Sequence, residues 1–125
     1  MNRRNFLATG GAALGGALMI APHAALAQRS GVFSGRTGHV ASGHGTLTDM
    51  GVSLARNFWF DGAPDPRVGL GHGGTFDPAT DMGALRRNTG AQLYGLPRHL
   101  DAAAYDTIVV WCRKFNVPLA VAAVG

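Results

Sequence analysis

Cys112 is the single cysteine of a 125-residue chain, and it closes the run Thr107-Ile108-Val109-Val110-Trp111. A lone thiol offers three chemistries: a redox thiol, a thiolate ligand to a haem or metal, or an intermolecular disulfide. It cannot close a disulfide within the chain. The plain alternative is core filling, because a buried free cysteine packs as a small, inert hydrophobe. Arg113 and Lys114 follow directly. They would activate the thiol if they folded back over it; otherwise they form a solvated turn.

His39, His44, His72 and His99 would, with Cys112, supply a zinc or copper donor set by residue type. Their spacing does not support one. His39 and His44 are five apart across a glycine, which on a strand puts them on opposite faces. No metal site follows. No Cys-x-x-Cys-His motif is present for covalent haem attachment. The residues therefore fix no cofactor; a haem without covalent attachment stays open, with Cys112 as its thiolate ligand. Asp61, Asp65, Asp77 and Asp81 are candidate calcium oxygens, yet Asp beside Pro or Gly is also ordinary turn composition. No Ser/His/Asp set and no paired carboxylates stand out, so a turnover enzyme has no positive support.

The first 27 residues read as a twin-arginine signal. Asn2-Arg3-Arg4-Asn5-Phe6-Leu7 carries the arginine pair, an apolar Gly/Ala-rich segment follows, and Ala25-Leu26-Ala27 is a small-x-small cleavage site. The apolar segment is shorter than the ~20 residues of a membrane span. Cleavage and export to the periplasm or beyond are expected, with no stable membrane span afterwards. The remaining stretch, 28–125, is the size of one small domain. It carries nine Lys and Arg against seven Asp and no Glu. That balance is too weak for a nucleic-acid partner. The missing glutamate also leans against helix.

The elements that must position these residues are short strands. Thr107–Trp111 is β-branched and aromatic, and Val117–Val124 returns after a polar turn. Parity sets Ile108, Val110 and Cys112 on one face, and Thr107, Val109 and Trp111 on the other. Val32–Gly35 and Gly38–Leu47 supply one or two strands, and Gln28–Ser30 a loose tail. Val52–Phe60 reads as one firmer strand, Arg67–Leu70 as a short one, and 71–80 as loop. Ala91–Leu96 follows the turn Asn88-Thr89-Gly90, and Leu100–Tyr105 forms a helical turn with Asp101 as N-cap. Trp59, Trp111, Tyr94, Phe58 and Phe115 are read as core aromatics. The expected fold is all-β, a small antiparallel β-sandwich or barrel-like domain.

Several ordered segments resemble the DM-thirteen domain, a family labelled as an electron-transfer domain. They are Phe33-x-Gly35, Gly38-His39, Asn57-Phe58, Asp61-Gly62-Ala63-Pro64-Asp65-Pro66, Gly90-x-Gln92-x-Tyr94-x-Leu96-Pro97 and Trp111-Cys112-x-x-Phe115-x-Val117-Pro118. The resemblance covers about Gly31 to Val124. It implies that Cys112 is the family's single cysteine, for which a redox role is proposed. It puts His39 at a matching position, here a tentative cofactor-binding residue whose plainer role is a hydrogen bond between strands. Larger relatives carry this domain beside haem-binding or cytochrome-like modules, which implies a redox partner of that class. Two functions stand on this basis. One is a periplasmic redox or electron-transfer accessory with Cys112 as thiol or ligand. The other is a non-catalytic envelope domain that binds a ligand or protein, with Cys112 in its core.

Overall fold

The computed structural model describes residues 28–125. The expected export signal and its cleavage site precede these residues. Ten strands build the domain: β1 Arg29–Gly35, β2 Ala41–Ser42, β3 His44–Thr48, β4 Gly51–Leu54, β5 Trp59–Phe60, β6 Pro66–His72, β7 Thr75–Asp77, β8 Gln92–Gly95, β9 Thr107–Cys112 and β10 Val117–Ala123. Eight of them form one antiparallel sheet in the order β7-β6-β9-β10-β1-β3-β4-β8, and β2 pairs with β5 as a separate ribbon. The large sheet curls into a half-barrel, so the all-β, barrel-like expectation holds. Among the described residues there is no α-helix, only 3-10 turns at Pro78–Thr80 and Ala102–Ala104.

The curl wraps one apolar core. Phe33, Leu47, Val52, Leu54, Phe58, Val68, Ile108, Val110 and Leu119 pack there, joined by Phe60 of the ribbon. Phe33 and Phe58 meet edge to face with ring centres 5.2 Å apart. β9 sits near the middle of the sheet, between β6 and β10, with Val109 in register with both Gly69 and Val121. Its apolar run needs that position, because a strand flanked on both edges and covered on both faces leaves no side chain wet. β10 takes its irregularity between Pro118 and Ala120. A proline has no N–H for the ladder, so the register shifts there.

Three sequence expectations are corrected. Residues 52–60 are not one strand: the chain turns at Arg56-Asn57, where the Phe58 N–H bonds the Ala55 carbonyl at 3.0 Å, and β5 leaves for the second ribbon. The even parity survived the turn, so Val52, Leu54, Phe58 and Phe60 are all buried. The stretch 71–80 is not loop: β6 runs on to His72 and returns as β7 through Gly73-Gly74, both at positive φ (58° and 89°). Two such residues make the tight turn that matches strand twist, and Gly-Gly is its sequence signal. Residues 28–30 are not a loose tail. β1 starts at Arg29, whose guanidinium donates to the carbonyls of Tyr105 and Ala102 at 2.8 Å each. Two expected core aromatics are also on the surface, Trp59 and Phe115.

Candidate functional site

Cys112 is the last residue of β9, opposite Val117 on β10 and Pro66 on β6. Its face is the one parity assigned, shared with Ile108 and Val110 in the core. The thiol is free and has 0% exposed surface. The two cations after it are engaged elsewhere. Arg113 Nε donates to Asp65 Oδ2 at 2.9 Å, and the Lys114 ammonium lies 5.6 Å from the Phe115 ring centre. The turn closes where the Asn116 N–H bonds the Cys112 carbonyl at 2.7 Å, with Asn116 in the left-handed region that asparagine tolerates. A packed core leaves no room for a haem on this sulfur as the domain is folded.

His39 stands apart from Cys112, just before β2. Its Nδ1–H donates to Asp61 Oδ1 at 2.9 Å, and the Val40 N–H donates to the other carboxylate oxygen at 3.0 Å. The imidazole ring lies against Phe60, centres 5.5 Å apart. The hydrogen bond from His39 holds the Asp61 carboxyl below its ordinary value. The bond ties the two strands of the small ribbon together, and Nε2 has no hydrogen-bond partner among the described residues. His44 is likewise engaged, its Nδ1 accepting from Asn57 Nδ2 at 2.8 Å. Among the described residues, no three His, Cys, Asp or Glu side chains converge as a metal cage.

The outer face of β9 carries a second grouping. Phe76 on β7 lies over Gly69, where an added Cβ would come within 2.2 Å of its ring. It stacks on Trp111 with centres 4.4 Å apart. A cleft of about 270 Å³ opens beside the stack, walled by Thr75, Phe76, Pro78, Trp111 and Asn116. The Trp111 indole N–H is buried and meets no acceptor among the described residues.

Tyr105, given no site role by the sequence, meets Asp77 and His72 at the neighbouring corner. The Tyr105 hydroxyl donates to Asp77 Oδ2 at 2.9 Å, and the His72 ring stacks on Tyr105 with centres 4.9 Å apart. Asp77 also caps the 3-10 turn, its Oδ1 accepting from the Ala79 N–H. That cap was legible in Asp77-Pro78. The tyrosine's approach was not, because 28 residues separate it from Asp77.

The most specific sequence motif proves architectural. Gln92 is buried and its amide donates to the carbonyls of Arg87 and Gly90, while Tyr94 donates its hydroxyl to Gln92 Oε1 at 2.7 Å. Gly90-x-Gln92-x-Tyr94 therefore pins the 86–91 loop onto β8. A family model described as Electron transfer DM13 matches residues 35–124. No curated protein and no solved structure matches.

Proposed function

The chain belongs to the electron-transfer DM13 family, and from that membership we propose that it is an exported redox accessory domain, working beside a separate electron carrier in the periplasm or beyond. The observation that carries this reading is the span of the match, from the end of β1 at Gly35 to Val124. The match takes in β2 to β10, which supports reading the family's property as one of the domain and not of a grafted segment. A partner is required on chemical grounds. One thiol has no second cysteine with which to close an internal cycle, so oxidising equivalents must pass to or from another molecule. In this reading Cys112 is the redox thiol. Because it has no exposed surface, a partner reaches it only when the strands around it open locally.

The same burial favours a second reading. Here the domain binds an envelope ligand or protein without redox chemistry, and Cys112 is core. One experiment separates the two. The protein is purified from the cell envelope without reductant, its visible spectrum is recorded, and Cys112 is titrated with a thiol reagent before and after unfolding. A thiol that reacts in the native state supports the redox reading with Cys112 at its centre, and a chromophore supports it with a bound cofactor elsewhere. A colourless protein whose thiol reacts only after unfolding makes Cys112 a core residue, as in the second. N-terminal sequencing of the same material tests export: cleavage after Ala27 leaves Gln28 at the terminus.

A further inference from the structure

We propose that Tyr105 is a one-electron redox site, with Asp77 as its proton acceptor and the stacked His72 as its side toward solvent. The inference rests on the electron-transfer reading but not on Cys112.

The geometry is built from several directions. Tyr105 follows the Ala102–Ala104 turn, and its N–H closes that turn on the Ala102 carbonyl at 3.1 Å. Arg29 holds the same two carbonyls from the far end of the chain. The ring is buried, and His72 lies over it at a 24° tilt while itself exposed. Asp77 is fixed too. One oxygen is held by the Ala79 N–H at 3.0 Å, and the other receives the phenol.

A phenol that loses an electron becomes a strong acid at once, so oxidation is easy only where a base already holds the proton. Asp77 is that base. In the step, Tyr105 gives one electron to a strong one-electron oxidant on the partner, of the class of a high-valent metal centre. The O–H bond breaks and its proton crosses to Asp77 Oδ2. The products are a neutral phenoxyl radical, a neutral carboxylic acid and a metal centre reduced by one electron. Return of an electron sends the proton back. The hydrogen bond to Asp77 also holds the Tyr105 hydroxyl above its ordinary value, so the proton stays on oxygen until the electron leaves.

The chain contains its own control. Its other tyrosine, Tyr94, donates to the Gln92 amide, a far weaker base. The Arg86 guanidinium sits 4.3 Å from the centre of its ring, and a cation there opposes the loss of an electron. Trp111 has no acceptor for its indole proton among the described residues.

The test is flash-quench oxidation of the full chain by photogenerated tris(bipyridine)ruthenium(III), with the radical read by electron paramagnetic resonance. The expected result is a tyrosyl signal that is lost in Tyr105→Phe and kept in Tyr94→Phe. Asp77→Asn keeps an oxygen for the Ala79 cap and removes the base, and it should slow radical formation roughly tenfold. A tyrosyl signal that survives Tyr105→Phe, a radical confined to tryptophan, or an unchanged rate in Asp77→Asn overturns the proposal. The oxidant is artificial, so the result is independent of the spectrum and thiol titration above. Loss of the Tyr105 preference defeats this inference alone, and an inert thiol in a colourless protein defeats the Cys112 reading alone.

Discussion

The two halves of the curled sheet are made differently. In β6, β9 and β10 both faces are covered, and buried residues follow one another: Val68 to Gly71, Thr107 to Val110, Leu119 to Ala122. In β3, β4 and β8 only the concave face is covered. There Gln92 and Tyr94 are buried while Leu93 between them is 71% exposed. The cause is the Gly73-Gly74 hairpin, which carries Phe76 across the outer face of the first half. Strands β3, β4 and β8 receive no such flap. Cys112 and Trp111 belong to the doubly covered half, and Tyr105 and Asp77 meet at its edge, where the flap ends. The redox chemistry proposed for this domain would thus sit in the half that water reaches least, where an unpartnered polar group such as the Trp111 indole N–H stands out.

The sharpest way to break the comparison is to place a charge at equivalent outward positions. Val109 faces outward from β9 yet has no exposed surface. Val109→Lys should lose more than about 4 kcal/mol, enough to abolish folding, because it buries an unpaired charge. Absence of a cooperative transition in urea would register it; a normal midpoint would mean that the outer layer is not closed. The inner face is common to both halves, so Ile108→Ala and Leu54→Ala should each cost ~2–5 kcal/mol by denaturant unfolding. Cys112→Ser should cost about 1–3 kcal/mol, since a buried hydroxyl replaces the thiol. A variant as stable as the parent would show that the thiol is not packed.

A smaller effect concerns the ribbon. Asp61 has a lowered folded value, so the stability it contributes is complete above the ordinary carboxylate value of 3.8. It is lost as pH falls through the folded value. Asp61→Asn should therefore lower the melting temperature slightly at neutral pH, and the two curves should converge as pH falls below about 4, where the parent loses the same contribution. The smallest effect is the counterpart of the first. Leu93→Lys should stay within about 0.5 kcal/mol of the parent, because that outward position is wet.

Much of the fold was legible because it rests on local patterns. The unbroken run at Thr107–Trp111 marked a strand covered on both sides, and parity put Cys112 on the core face with Ile108 and Val110. Asp101 was read correctly as an N-cap, its side chain accepting from the Ala103 N–H. The β6–β7 hairpin was missed although Gly73-Gly74 announced it. Thr75-Phe76-Asp77 is too short for periodicity to register. The break at Arg56-Asn57 was hidden because the turn preserved parity on either side.

The site was less legible than the fold. Residue type singled out Cys112, and parity fixed the face on which it would lie; His39 was singled out by the family resemblance. The sequence could not give the depth of Cys112, which depends on Phe33, Val68 and Leu119 closing around the same core from three other strands. It could not join Tyr105 to Asp77, or His72 to Tyr105, because those contacts exist only once β6, β7 and β9 are in register. Strand identity, parity and capping are set by interactions within a few residues, and a sequence states them outright. Burial and proton partnership are set by which distant strands become neighbours, and the curl of the assembled sheet alone decided those.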